Sequence, residues 1–156
     1  VCVFMGNGGG TSTIHNVLIA NNTMADANYG VWLGYYDPSD SIYSNVVIVN
    51  NICTNNNVAG ISCVSQGGLT NSHVTCLYNK APANSIAPIN QSGPVTAGKV
   101  TFVSYTPYAT NNDFHYATND TGAVGNGTNW SAYFGGNKDG LTNGRPAVGA
   151  WNIGAY

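Results

Sequence analysis

The stretch Asn16-Val17-Leu18-Ile19-Ala20-Asn21-Asn22 decides the fold, because its pattern recurs twice more along the chain. It returns as Asn45-Val46-Val47-Ile48-Val49-Asn50-Asn51 and as His73-Val74-Thr75-Cys76-Leu77-Tyr78-Asn79, at offsets of 29 and 28 residues. A second series, at offsets of 28 and 30, reads Cys2-Val3-Phe4-Met5, Gly30-Val31-Trp32-Leu33 and Gly60-Ile61-Ser62-Cys63. Two segments that recur in the same order with nearly one period predict a repeat architecture.

Aliphatic residues occupy alternate positions in both series, as a strand with one buried face requires. The matching positions form four columns: Val17/Val46/Val74, Ile19/Ile48/Cys76, Val3/Val31/Ile61 and Met5/Leu33/Cys63. One repeat cannot bury its own apolar face, so such columns predict coils that stack on a shared interior. The chain is therefore predicted to be all-β, with about three coils of 28–30 residues.

An asparagine ends each copy of the first series, at Asn22, Asn51 and Asn79. Asparagine adopts the left-handed backbone conformation more readily than most residues, which suits it to a sharp turn. Stacked at one position, these side chains would hydrogen-bond from coil to coil and satisfy polar groups that are costly to bury alone. The sequence therefore predicts a structural asparagine ladder in the interior.

These features resemble the right-handed parallel β-helix repeat family, the pectate-lyase-like superfamily, from Val1 to about Asn79. The resemblance implies three strands in each coil. For the second coil it implies a first strand at Val31 to Leu33, a long turn over 34–43, a second strand over 46–50 and a third strand at Ile52 and Cys53.

The C-terminal half does not repeat, but it resembles the segments that close many bacterial secreted β-helix proteins. Phe102-Val103 followed by Asn112-Asp113-Phe114-His115-Tyr116 is similar to their closing segment. Asn143-Gly144-Arg145-Pro146 and Trp151-Asn152-Ile153-Gly154-Ala155-Tyr156 resemble their terminal motif, with Asn152 where aspartate is usual and without the final glutamate. Residues 80–156 are therefore predicted to form a final irregular coil and a C-terminal cap, in one domain with the coils of residues 1–79.

Charge is scarce, since only 6% of the 156 residues are charged. Four cations cannot make the basic field that nucleic-acid binding needs, so no nucleic-acid partner is predicted. No stretch approaches the ~18–20 apolar residues of a membrane span. The neutral composition is typical of secreted and cell-surface proteins, which is the predicted localisation. Val1 stands where an initiator methionine would be, as after removal of a leader or in a piece of a longer chain.

Four cysteines, Cys2, Cys53, Cys63 and Cys76, allow two disulfides in three connectivities. Three of them lie where the repeat elsewhere has methionine, leucine or isoleucine. That placement favours buried thiols that act as small hydrophobic side chains.

Charged residues are missing from the face where the family resemblance implies that lyase chemistry would lie. The outward positions of the first strand are predicted at Cys2/Gly30/Gly60 and Phe4/Trp32/Ser62. Asp37 and Asp40 stand close together in Tyr36-Asp37-Pro38-Ser39-Asp40, which is ordinary turn chemistry. We predict no catalytic residue, metal or cofactor, with a calcium site at Asp26, Asp37 and Asp40 as the alternative.

Aromatic side chains offer a candidate ligand-binding site. Phe4 and Trp32 are predicted on the outer face of adjacent coils, about 4.8 Å apart, and Tyr35 and Tyr36 follow in the turn. Exposed aromatic faces stack on sugar rings or fill protein interfaces. The alternative is that the long turns fold over these rings.

Two functional hypotheses follow. The first is a non-catalytic extracellular structural module, a rigid β-helix that assembles head to tail into fibres or forms a surface-protein stalk. It rests on residues 1–5, which align with a mid-coil strand and leave an open end. The second is a carbohydrate-binding module or the C-terminal fragment of a polysaccharide-lyase-like enzyme. The predicted partner is accordingly a second copy of the chain or an extracellular polysaccharide.

Overall fold

The computed structural model describes residues 2–5, 12–33, 41–63, 74–81, 91–92, 98–131, 144–145 and 148–154. The elements assigned there are β-strands: β1 Val3–Met5, β2 Ser12–Ala20, β3 Thr23–Ala25, β4 Tyr29–Leu33, β5 Ser41–Val49, β6 Ile52–Thr54, β7 Ala59–Cys63, β8 Val74–Leu77, β9 Gln91–Ser92, β10 Phe102–Ser104 and β11 Asp113–Tyr116. Within these ranges, no helix has the length and apolar character needed to cross a bilayer.

Three parallel sheets are built from strands of successive repeats. Their orders are β1-β4-β7, β2-β5-β8-β9 and β3-β6. The chain visits them in the same order in each repeat, and strands β1 to β8 pair residues 28–30 positions apart, such as Val3 with Val31 and Val46 with Val74. β9 departs from this period, because Cys76 of β8 pairs with Gln91, only 15 positions later. A parallel bridge from Ile52 to Lys80 continues the third sheet into the next repeat. The all-β class and the parallel pairing of strands from successive repeats are confirmed.

The aliphatic columns are in register as predicted, and they supply the core. Val17 pairs with Val46 and Ile19 with Ile48 in the second sheet, while Met5 pairs with Leu33 in the first. The main cluster of buried side chains comprises Ile19, Met24, Val31, Leu33, Tyr43, Val46, Ile48, Cys53, Ile61, Val74 and Cys76. Burial of one such aliphatic side chain stabilises the fold by about 1.5–3 kcal/mol, so the stacking of repeats supplies the main stabilising term.

The chain bends in each of the first two repeats at residues with left-handed φ that are spaced five apart. They are Asn16, Asn21 and Asp26 in the first repeat, then Asn45, Asn50 and Asn55 in the second. The prediction that the second asparagine of each pair makes the turn is wrong by one position. Asn50 takes the left-handed conformation, with φ of 54°, and this corner leaves the side chain of Asn51 buried in the interior.

The second strand of the second repeat is longer than predicted. β5 begins at Ser41, inside the range expected to be a turn, and residues 34–40 of that range lie outside the described residues. The pairing passes from His15 with Ser44 directly to Val17 with Val46. The intervening asparagines, one in each strand, have positive φ. This shared kink breaks the alternation of side chains, which is why the first half of the strand resembled a turn.

Gly30 is buried, although it was expected on the outer face. A Cβ there would lie 2.5 Å from the carbonyl oxygen of Gly60 and 2.7 Å from Sγ of Cys53. The outward position that alternation along β4 predicts for this residue is therefore wrong. Only glycine fits so close an approach.

The asparagine column forms a buried hydrogen-bonded ladder. Nδ2 of Asn22 donates to Oδ1 of Asn51, and Nδ2 of Asn51 donates to Oδ1 of Asn79, each over 2.9 Å. The same oxygens accept the backbone N–H groups of Asn22 and Asn51. Nδ2 of Asn51 and Asn79 also donates to the carbonyl oxygens of Ile19 and Ile48. Each amide thus satisfies backbone groups at a corner that has no ladder partner of its own.

The C-terminal segment, residues 98–131, 144–145 and 148–154, packs against the side of the third sheet. Ile52 of β6 joins Ala123 and Ile153 in a second buried cluster, and Val100, Phe102 and Tyr116 pack against it. The segment also bonds Asp26 in the first repeat and Lys80 in the third, so it contacts all three repeats. Lys80 and β9 extend the parallel sheets beyond residue 79. The domain boundary at residue 79 and the cap stay predictions.

We expect Asn51→Ala to destabilise the fold by about 3–5 kcal/mol, because it leaves several buried donors and acceptors without partners. The matched control is Asn28→Ala. Asn28 is exposed, and its side chain only accepts a 3.3 Å bond from Asn57; that variant should cost less than about 1 kcal/mol. Urea unfolding of both variants measures the difference. Equal losses of stability would show that the ladder contributes no more than a surface contact.

Candidate functional site

An aromatic face lies on the outside of the first sheet. The rings of Phe4 and Trp32 come from paired positions of β1 and β4, with centroids 5.0 Å apart. Tyr29 stacks on the other side of Trp32, at 5.1 Å and an interplanar angle of 17°. Phe4 is 50% exposed. The three rings make a tilted, partly exposed row that a flat apolar ligand face can contact.

Tyr29 was not predicted to belong to this face, and two of the predicted aromatic residues lie outside the part of the chain that the structure describes. Strand alternation assigns Tyr29 to the inward face with Val31, but in the structure its ring is shifted to stack on that of Trp32. No periodic signal in the sequence reports that shift. Tyr35 and Tyr36 lie outside the described residues, so their part in a ligand site stays a prediction.

The described carboxylates hold the fold together. Asp120 accepts backbone N–H bonds from Thr101, Ala123 and Val124 at 2.7–3.0 Å. Asp113 accepts the backbone N–H of His115 and lies 2.5 Å from its Nδ1. These bonds lower the pKa of Asp113 from its ordinary value. Both carboxylates therefore act as acceptors that shape turns in the C-terminal segment.

Asp26 joins the first repeat to the C-terminal segment. Its Oδ1 accepts the hydroxyl of Tyr105 at 2.6 Å and Nδ2 of Asn55 at 2.8 Å, and its Oδ2 accepts the backbone N–H of Tyr108 at 3.0 Å. The bond from Tyr105, with those from Asn55 and Tyr108, holds the pKa of Asp26 below its ordinary value. Burial and the neighbouring carboxylate raise the pKa of Tyr105, so the tyrosine stays a proton donor. We call this set of contacts the Asp26 clasp.

In the described part of the chain, no three His, Cys, Asp or Glu side chains come together in a cluster that could hold a metal ion. Of the residues proposed for calcium, Asp26 has both oxygens engaged in the clasp. Asp37 and Asp40 lie outside the described residues. The calcium alternative therefore stays a prediction.

Two of the cysteines behave as the sequence indicates. Cys53 and Cys76 are buried and free, and burial raises the pKa of each thiol to about 12. Their assignment as buried thiols is confirmed. Cys2, predicted at an outward position, is a free and exposed thiol just before β1, and the side chain of Cys63 lies outside the described residues.

Two grooves separate the parallel sheets from the C-terminal segment. One, of about 290 Å³, is lined by Ile52 to Asn55, by Lys80 and Ala81, and by Lys99 and Val100. Nζ of Lys80 is engaged with the carbonyl oxygen of Gly98, and burial lowers the pKa of this lysine. The other, of about 390 Å³, is lined by Tyr78, by residues 125–129 and by Gly149 and Ala150. We call the second one the Tyr78 groove.

Comparison with known proteins does not assign the chain to a family. No match was found to a protein-family model, to a curated protein or to a solved structure. The roles of the residues therefore rest on the contacts described above, and the resemblance to the β-helix family stays a prediction from sequence.

We expect acid to loosen the Asp26 clasp. Because the folded-state pKa of Asp26 is depressed, its contribution is present above the unfolded pKa and is lost as the pH falls through the folded value. Hydrogen exchange of peptides covering residues 104–111, corrected for intrinsic rates, should show protection falling as the pH drops below about 4. In Asp26→Asn this protection should be lower at neutral pH and insensitive to acid.

Asp113→Asn is the matched control, because Asp113 also has a depressed pKa but bonds only His115. That variant should keep the loss of protection in acid. If Asp26→Asn keeps the same loss, the acid sensitivity arises elsewhere and the clasp is not its cause.

Proposed function

We propose that this chain is a non-catalytic structural module of a secreted or cell-surface protein. It is built as a right-handed parallel β-helix of about three coils, and it assembles head to tail or forms a stalk. The proposal is supported by the order in which the chain visits the three parallel sheets and by the continuous asparagine ladder. A neutral, regularly hydrogen-bonded column of this kind is suited to a rigid spacer.

One observation carries the assembly part of the proposal. Among the described residues, β1, β2 and β3 each pair on one side only, and all three belong to the first repeat. Their other edges therefore lie at the same end of the stack. Unpaired edges of parallel strands are templates for further strands. A head-to-tail contact between unlike ends does not close, so it would propagate a fibre.

The uses of the described carboxylates support the non-catalytic part. Asp26, Asp113 and Asp120 accept hydrogen bonds that fix turns or join segments. A general acid or base needs a carboxyl group that can reach a substrate and exchange a proton with it. Two of the three have a depressed pKa, at Asp26 and Asp113, which suits an acceptor better than an acid.

Electron microscopy of the purified chain over a dilution series tests the assembly. Fibres that dissociate on dilution are expected, with a diffraction spacing of about 4.8 Å along the axis. Val3→Lys places a charge at the open edge, where Val3 packs against the core cluster, and should abolish the fibres. Val103→Lys is the control, because Val103 is 58% exposed on β10 and outside the parallel sheets.

Particles of single-chain mass at every concentration would refute head-to-tail assembly. The stalk would then be the remaining form of the structural proposal. Cleavage of pectin, alginate or a related polyuronate by this chain alone would refute the non-catalytic proposal.

A second candidate function, carbohydrate binding, is favoured by the row of Phe4, Trp32 and Tyr29 rings. Aromatic faces stack on the C–H faces of sugar rings, and half of Phe4 is accessible. A carbohydrate-binding module would use this face directly. In the C-terminal fragment of a polysaccharide-lyase-like enzyme, the same face would lie beside catalytic coils that precede the segment.

The aromatic face is tested with Trp32→Ala and Phe4→Ala in titrations against neutral and acidic oligosaccharides. Each change should weaken binding by about fivefold, since one stacking ring contributes about 1 kcal/mol. Phe4→Leu keeps an apolar side chain without the ring and should bind as weakly as Phe4→Ala. If neither alanine variant changes glycan binding or assembly, the aromatic face serves neither purpose.

A further inference from the structure

Tyr78 occupies a backbone position that the other repeats give to asparagine. It follows Asn21 and Asn50 at the same corner, and its φ of 51° matches theirs at 54°. Asparagine is enriched in this left-handed region, whereas a bulky side chain there is uncommon and strained. A residue that keeps a strained backbone where its repeat offers a relaxed alternative points to a use for its side chain.

The second wall of the Tyr78 groove is fixed by the corner one coil earlier. Nδ2 of Asn50 donates to the carbonyl oxygen of Thr128 at 2.7 Å, and Oδ1 of Asn50 accepts the N–H of Thr128 at 2.9 Å. A Cβ on Gly127 would lie 2.8 Å from Oδ1 of Asn50, so only glycine permits this approach. The asparagine corner of the second repeat thereby seats residues 125–129 beside the tyrosine corner of the third.

Trp151 and Asn152, near the end of the C-terminal segment, hold the wall of residues 125–129 in place by hydrogen bonds. Gly127 and Trp151 exchange two backbone hydrogen bonds, at 2.7 and 3.1 Å. Oδ1 of Asn152 accepts the N–H of Gly125 at 2.8 Å. The groove therefore stands between two rigid parts of the structure, which limits the ordering cost of binding.

The groove is chemically neutral in its described lining, which has one aromatic residue, two asparagines, a threonine and small residues. In the described structure, the Tyr78 and Thr128 hydroxyls and Oδ1 of Asn126 make no hydrogen bond, while Nδ2 of Asn126 is used on the carbonyl oxygens of Thr121 and Val124. An aromatic ring, two hydroxyls and an amide oxygen match a ligand that has both C–H faces and hydroxyl groups. A volume of about 390 Å³ is within the range of small-ligand sites.

We propose that the Tyr78 groove binds a neutral sugar unit of an oligosaccharide, stacked on Tyr78 and hydrogen-bonded by Thr128 and Asn126. The site is separate from the aromatic face of Phe4 and Trp32. It depends on neither head-to-tail assembly nor that face, so a failure here and a failure of the proposed function are distinguishable.

Tyr78→Asn is the decisive variant, because it restores the residue that the first two repeats have at this corner. Relief of backbone strain should leave the melting temperature equal to that of the wild type or higher. Binding of neutral hexasaccharides of cellulose, xylan, mannan and β-1,3-glucan should nevertheless weaken by about tenfold for whichever of them binds the wild type.

Tyr108→Asn is the matched control. Tyr108 is also a tyrosine with positive φ, at 63°, but it is 64% exposed and bonds Asn57 outside the groove. This variant should bind the same hexasaccharide as the wild type does. Trp32→Ala should also retain binding, which separates the groove from the aromatic face. Thr128→Val, which removes only the hydroxyl, should weaken binding several-fold. This variant tests the proposal even if Tyr78→Asn does not fold.

The readout is a titration followed by isotope-edited nuclear magnetic resonance, in which the amide signals of Gly125 and Gly127 should shift on binding. The proposal is overturned if none of the four hexasaccharides binds the wild type at millimolar concentration. It is equally overturned if Tyr78→Asn and Thr128→Val bind as the wild type does, or if only the hexamer of galacturonic acid binds.

Discussion

The architecture depends on a two-residue corner at the ends of β2, β5 and β8, which is an asparagine pair in the first two repeats and Tyr78-Asn79 in the third. This corner solves two problems. Where a parallel strand ends, the chain must turn sharply, and the backbone groups at the turn lose their ladder partners. Asn50 provides the left-handed conformation, and Asn51 directs an amide inward to bonds from the neighbouring coils. One residue alone could not do both, because the corner conformation and the inward direction belong to successive positions. The aliphatic columns add the free energy of burial, but the pair permits the repeats to stack in register.

The parts of the fold that obey the period were predictable from sequence, because stacking places equivalent residues in contact. The columns of Val46 and Ile48 and the hydrogen-bonding of Asn51 follow directly from that rule. The kink at Asn45 and the inward position of Gly30 were not predictable. Both are local changes in side-chain direction that leave the spacing of the repeat unchanged, so no periodic pattern reports them.

The candidate site was less predictable than the fold for a related reason. Phe4 and Trp32 could be named because they occupy one column, but Tyr29 stacks on Trp32 from a position that strand alternation assigns to the other face. The C-terminal segment has no repeat, so nothing in its sequence reports which surface it covers. A different signal was present in the sequence: Tyr78 interrupts a column that otherwise consists of asparagine.

Three residues that differ from the other members of their columns lie in the same region of the structure. In a repeat protein, stacking accounts for the identity of a residue that matches the others in its column. The identity of a residue that differs from its column has to be accounted for by a contact outside the stack. Asp26, opposite Asn55, bonds Tyr105 of the C-terminal segment; Lys80, opposite Ile52, bonds Gly98; and Tyr78, opposite Asn50, lines the groove against residues 125–129. All three departures lie at corners or strands next to the same segment. We infer that docking of this segment has shaped one side of the column, while the interior has kept the pattern that stacking requires.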